Sequence, residues 1–326
     1  MIIKISKSAF TINAVWWSFY VLTFAAIYFA SEHLLSHYIY GDQQHYTNFY
    51  YAVRGARLAE VPILQYSKTG SAEPFYGYLI WLASNAGIEK TTLIANFNGL
   101  FAVLIAATIK KLNGSITLAV IMFTNYYFIV LITAAERLKF SYIVFCLAIL
   151  VGGRWGRLLF FSSPLVHLQS VITIASVAFA RLAEGFSDQK RRNWDRIKGF
   201  VGLSAVSLFG VFGFLRFQQR ILGKYESYSE LGEGVFGILQ IIILATASIF
   251  IARKRIEAIF FFVPLIITAA ILGGARVNMI GFVILFYIGL KDGKYFHPIL
   301  LVLYFYFAYK SVGFVENILE FGVGYL

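Results

Sequence analysis

Charge is what this sequence has least of. Asp, Glu, Lys and Arg supply 13% of its 326 residues, against about 25% in an ordinary soluble domain. That scarcity, with the long apolar runs, excludes a disordered chain and leaves too little polar surface to wrap a soluble fold. Acid is scarcer still, with 16 Asp and Glu against 28 Lys and Arg. In a soluble chain the resulting net charge of +12 would suggest nucleic acid. Here short basic loops that orient helices and touch anionic lipid headgroups account for it, so no nucleic-acid partner is expected. Cysteine is nearly absent: Cys146 alone excludes an intrachain disulfide and a multi-cysteine metal site. His33 and His37 have the i, i+4 spacing of a helical metal pair, yet no third ligand is evident, so no metal or cofactor is expected. The first apolar run begins around Ala9, after Lys4 and Lys7, without a small-residue cleavage site, and reads as a retained helix. Neither a repeat of 20–50 residues nor an inverted half-repeat of the kind common in transporters stands out.

What is present is hydrocarbon. Hydrophobic residues make up 59% of the chain and its mean hydropathy is +0.73. Apolar segments lie at about 9–30, 91–109, 115–135, 140–153, 158–180, 199–215, 234–252, 256–274, 277–290 and 295–312, with a shorter run at 75–87. The expected fold is all-α: a single polytopic membrane domain over 1–326, with about nine to eleven transmembrane or re-entrant helices. A polar outer loop with a short interfacial or re-entrant helix is expected over 31–90. A basic cytoplasmic loop is expected over 181–198 and a second outer loop over 215–233.

Lys4 and Lys7 argue for a cytoplasmic N-terminus, as do the six Lys and Arg between Arg181 and Lys198 for their own loop. Two arrangements satisfy both, dividing Lys and Arg 16 inside to 12 outside or 17 to 11; charge does not separate them. The second holds 75–87 in the outer interface and breaks 158–180 into a hairpin. Pro164 supports it, because it deprives the Phe160 carbonyl of its helical donor three residues before His167. Broken helices survive in membranes where they line a buried or watery cavity. This arrangement puts Asp42, Glu73, Arg137 and Arg276 on one side, with His167 at the apex facing them.

The loop after the first helix, Tyr40-Gly41-Asp42-Gln43-Gln44-His45-Tyr46 and onward to Glu73-Pro74-Phe75-Tyr76, sets acids among tyrosines beside Arg54 and Arg57. Asp42 and Glu73 suit a general base or acceptors for sugar hydroxyls; each reads equally as a solvated loop acid. Tyr46 and its neighbours fit sugar stacking or an ordinary aromatic belt. His167, well inside an apolar segment, suits a base or a hydrogen-bonding group, with packed helix histidine as the alternative. Arg137, with Lys139 two residues on, offers phosphate oxygens a guanidinium fork or serves as an interfacial anchor. Arg276, after two glycines, has the same two readings. Arg216, Lys224 and Tyr225 lie in a second polar stretch that would suit pyrophosphate or glycan, or a solvated connector.

The order of these pieces resembles the EpsG-like and Wzy-type polysaccharide polymerases of bacterial envelopes. The resemblance rests on Gly41-Asp42-x-x-x-Tyr46, Glu73-Pro74-Phe75-Tyr76, Arg137 at a helix head, Trp155-Gly156-Arg157 before His167-x-x-Ser170, and Ala275-Arg276-Val277-Asn278. It spans roughly residues 40–290. In the family the histidine is often followed directly by serine, whereas Leu168 and Gln169 intervene here. The resemblance implies a metal-independent glycosyltransferase of the bacterial cytoplasmic membrane, active at the periplasmic or outer face. Donor and acceptor would be undecaprenyl-diphosphate-linked glycans for O-antigen, capsule or exopolysaccharide, with a chain-length regulator and a flippase as partners. Arg137 and Arg276 would hold the diphosphate, His167 would act as base or orient the acceptor, and Asp42 and Glu73 would contact sugar, Asp42 being the alternative base. An O-antigen-type ligase and a lipid-linked glycan flippase or other transporter are the competing expectations.

Overall fold

The computed structural model describes residues 7–71, 73–187 and 233–325, and among these every regular element is helical. They form two compact units, one running to Leu168 and resuming at Leu303, the other covering Gln169–Val302.

The first unit is built on two long helices. Helix α1, Lys7–His37, packs along α5, Lys90–Lys111. Close approach is possible because Gly99 faces Phe24, where even a Cβ would meet the ring at 2.9 Å and the backbone oxygen at 3.0 Å. Small residues let membrane helices pack this tightly. Between α1 and α5 lie α2, Asp42–Ala52; α3, Val61–Thr69; and α4, Pro74–Asn85, with a 3₁₀ turn at Leu58–Glu60.

The expected outer loop over 31–90 is therefore mostly short helix, and the first helix continues past residue 30 to His37. Apolar run length finds α4 at 75–87 but misses α2 and α3, because they are 11 and 9 residues long and each buries only one stripe. On α2 that stripe is Gln43, Tyr46, Phe49 and Tyr50, spaced at helical intervals. Turn chemistry separates the pieces: Gly41 before α2 and Gly70 after α3 have φ of 61° and 69°, a region glycine enters without penalty.

The expected single span at 115–135 is broken into α6, Ile116–Phe123, and α7, Tyr126–Thr133, which meet at 61°. Asn125 starts α7 by accepting from the Tyr127 amide at 3.0 Å. The Thr124 carbonyl at the break takes the Ser311 hydroxyl at 2.9 Å. A composition window does not see a corner made by one capping residue inside an apolar run. Helices α8, Glu136–Val151, and α9, Gly153–Ser162, follow.

At the expected break before His167, α9 stops at Ser162 and a 3₁₀ turn covers Ser163–Leu165. The next helix, α10, Ser170–Ser187, opens the second unit. That unit continues with α11, Glu233–Ile251; α12, Arg255–Leu272; and α13, Ala275–Lys291. Within it α11 meets α13 where Gly237 and Gly274 face each other with no room for a Cβ, and Asn278 donates to Gln240 at 3.1 Å. Helix α14, Pro298–Phe321, returns the chain to the first unit.

Among the described residues three helices are long and apolar enough to cross a membrane, namely Asn13–His37 of α1, α5 and α14; the bent α6–α7 pair makes four. On α1 and α14 large apolar side chains such as Trp17, Leu22, Phe305 and Tyr309 are exposed, which suits hydrocarbon and not water. The chain is an all-α protein with the character of a membrane protein.

Candidate functional site

The junction between α7 and α8 determines where polar groups must gather. A helix end leaves orphan carbonyls, and a helix start leaves orphan amides. Here the end of α7 and the start of α8 are both buried among packed side chains. Asn98 of α5 donates to the Ile132 carbonyl at 2.7 Å, and Gln43 of α2 donates to the Thr133 carbonyl. Polar side chains from two helices thus finish the corner that Glu136, Arg137 and Lys139 enter on the first turn of α8.

Glu73 reaches this corner because of its neighbour. Proline disfavours the α region for the residue before it, and Glu73 is extended, at φ −68° and ψ 119°, as N-cap of α4. Its carboxylate makes no cap bond to its own helix. One oxygen instead meets Arg137 Nη1 at 3.0 Å, and the other meets His167 Nδ1 at 2.8 Å. Ser71 donates to the first oxygen, with Gln65 Nε2 at 3.5 Å. Burial pushes the Glu73 carboxyl upward, but the His167 hydrogen bond and the Arg137 charge more than offset it and hold the group below the usual carboxylate range.

His167 owes its place to the break around Pro164. The Phe160 carbonyl, whose helical donor proline removes, accepts both the Ser163 backbone amide and the Ser163 hydroxyl, the latter at 2.8 Å. The chain can therefore leave its helix without a bare acceptor, and His167 then turns to Glu73. Glu73, Arg137 and His167 are 6%, 8% and 4% exposed, so this is a buried ionic triad and not a set of solvated loop groups.

A second cluster adjoins the first. Glu136, fully buried, accepts from Gln43 Nε2 at 2.8 Å and from the Tyr76 hydroxyl at 2.8 Å, and pairs with Lys90 Nζ at 3.1 Å. Lys139, also fully buried, donates to Asn98. Tyr46 links the clusters, its ring centroid 5.9 Å from the Arg137 guanidinium carbon and 5.9 Å from Lys90 Nζ. Cations at that range are attracted to the ring face. Arg137 and Lys90 thus sit against two carboxylates and an imidazole, with the Lys139 amine, whose pKa burial lowers to about 7, beside them. Arg137 Nε is a buried donor with no hydrogen-bond partner, and a buried donor in that state calls for an acceptor.

The structure brings together four of the residues that the sequence singles out, Glu73, Arg137, His167 and Tyr46, with Lys139 in the adjoining cluster. Asp42 is half-buried on the first turn of α2, near Tyr38 and Tyr325. Arg276 is half-buried on the first turn of α13, in the second unit. Arg216, Lys224 and Tyr225 lie outside the described residues, as do the 199–215 segment, the second outer loop up to residue 232 and the basic loop from residue 188. Sequence reasoning missed Glu136, Lys90, Gln43 and Asn98. Asn98 carried a signal, since an amide in the middle of a 22-residue apolar helix needs a buried partner; the other three did not stand out from interfacial polar residues.

Comparison with family models, with curated proteins and with solved structures finds no match for this chain.

Proposed function

We propose that this protein is a membrane glycosyltransferase of the polysaccharide-polymerase kind, joining glycan units carried on undecaprenyl diphosphate at the outer face of the bacterial cytoplasmic membrane. The observation that carries the reading is the buried Glu73–His167 pair beside Arg137. A carboxylate that accepts the imidazole Nδ1–H fixes the tautomer with its lone pair on Nε2. That nitrogen takes the proton of the acceptor sugar's hydroxyl, and Glu73 stabilises the imidazolium. The acceptor oxygen forms its bond to the anomeric carbon of the donor as the bond from that carbon to the diphosphate oxygen breaks. The leaving diphosphate keeps the electron pair, and fixed positive charge lowers the cost of its departure. The Arg137 Nε–H edge is the donor oriented for that task, and Lys139 and Lys90 add positive potential. In this reading Glu73 serves the base and does not contact sugar, while Asp42 is left to the outer part of a substrate.

The test is conversion of a purified lipid-linked repeat unit by the purified protein in lipid nanodiscs, following polyprenyl diphosphate release and product length together. Ladders of lengthening glycan support the polymerase reading. Transfer to a lipid A core acceptor without lengthening would identify a ligase instead. Movement of the lipid-linked unit across a vesicle membrane with no diphosphate release would identify a flippase, and either result overturns the proposal.

A further inference from the structure

The two buried clusters repeat one pattern on three helices. From α4, Glu73 goes to Arg137 and Tyr76, three residues on, goes to Glu136. From α2, Gln43 goes to Glu136 and Tyr46, three residues on, lies against Arg137. Gln43 and Tyr46 share a face of α2, and Glu73, the extended N-cap of α4, reaches α8 together with Tyr76 of its first turn, so α2 and the head of α4 each offer α8 two successive contacts. Adjacent residues of α8, Glu136 and Arg137, receive them. Moving α2 or α4 by one residue along its axis would break both contacts together. Of the two, the Glu136 contact is the better satisfied: its carboxylate takes three donors from α2, α4 and α5, whereas Arg137 keeps Nε without a partner.

We propose that Glu136 is a positioning residue. Its three-way acceptor contact with Gln43, Tyr76 and Lys90 holds the first turn of α8 so that Arg137 stays between Glu73 and Tyr46, with its Nε–H edge facing the anion that the site takes. The identity of that anion rests on the proposed glycosyl transfer; the positioning itself does not.

Two variants separate charge and geometry from simple stability. Glu136→Gln keeps the side-chain length but replaces an acceptor oxygen with a donor, and Glu136→Asp keeps the acceptor. Each is purified in nanodiscs, its thermal unfolding is recorded, and modification of Arg137 by phenylglyoxal is followed by peptide mass spectrometry without substrate. In folded Glu136→Gln, Arg137 is expected to react about tenfold faster than in wild type, and turnover to fall by a similar or larger factor with donor KM little changed. Glu136→Asp is expected to return both most of the way. Unchanged Arg137 reactivity in folded Glu136→Gln overturns the inference. If that variant does not fold, Tyr76→Phe removes one donor and leaves the carboxylate in place; a smaller rise in Arg137 reactivity is expected there, and none would overturn the inference equally. Because the modification needs no substrate, faster labelling in Glu136→Gln alongside an inactive wild type would sink glycosyl transfer and leave the positioning role standing.

Discussion

Glu73 and His167 stand 94 residues apart in the chain, and their carboxylate oxygen and imidazole Nδ1 meet at 2.8 Å. Each is brought to the meeting by a proline. Pro74 holds Glu73 extended at the head of α4, and Pro164 ends the helical run that would otherwise carry His167 onward. Arg137 completes the triad from the other oxygen of the same carboxylate. A carboxylate shared by a guanidinium and an imidazole in a buried site is stabilised only while both partners remain.

Removing that carboxylate should therefore be costly. Glu73→Gln leaves the Arg137 guanidinium buried without its counter-charge, and breaking a buried pair on one side costs about 3–5 kcal/mol. The expected result is a marked drop in the thermal unfolding midpoint of the detergent-solubilised protein. Glu73→Gln combined with Arg137→Met removes both charges and should recover at least half of the loss. Equal midpoints for wild type and Glu73→Gln would show that the pair does not contribute to stability.

The same carboxylate predicts an acid limb. Its folded pKa lies below the ordinary value, so the charged form is favoured by folding. That contribution is fully present above the unfolded carboxylate pKa and is lost as pH falls towards the folded one. The midpoint difference between wild type and Glu73→Gln should thus narrow below about pH 4. Unfolding scans from about pH 5 down to about pH 3 on both proteins check this. A difference that widens below about pH 4 would contradict the sign.

His167 should matter for rate more than for folding. Replacing a general base removes about 10²–10⁴ in turnover, so His167→Ala should abolish visible glycan ladders while the protein still inserts and unfolds cooperatively. Arg137→Ala should do the same through loss of leaving-group stabilisation. Wild-type chain lengths in both variants would end the assignment of these residues to glycosyl transfer.

How far these groups were legible in the sequence follows from contrast. His167 stood out because ionisable groups in hydrocarbon are expensive and seldom accidental, Arg137 as a guanidinium where one span ends and the next begins, and Glu73 as an acid set among tyrosines. The long helices α1, α5 and α14 were legible from run length alone. The short helices α2 and α3 were not, because at 11 and 9 residues they carry a buried stripe without an apolar run. Glu136 and Lys90 were hidden for another reason. Each lies at a helix terminus, where a charged residue ordinarily faces headgroups or water, and only the packing of α2, α4 and α5 around the α7–α8 corner turns them inward. The bend at the other end of α7, between α6 and α7, depends on Asn125, one capping amide within an otherwise apolar stretch.

The break before His167 offers the sharpest test of local design. Ser163 donates its hydroxyl to the Phe160 carbonyl at 2.8 Å, the acceptor that Pro164 leaves without a helical amide. Ser163→Ala alone removes one of two donors from a part-buried carbonyl that keeps the Ser163 backbone amide, a loss of about 0.5–1.5 kcal/mol. Pro164→Ala alone supplies a backbone N–H at the position from which a helix would satisfy that same carbonyl. In the Pro164→Ala background, Ser163→Ala should then be nearly neutral, and the two effects should be non-additive in a double-mutant cycle. Continuing the helix through residue 164 would also swing His167 away from Glu73, so Pro164→Ala should retain stability yet lose turnover. Additive losses from the two substitutions would show instead that Ser163 and Pro164 do not share the Phe160 carbonyl.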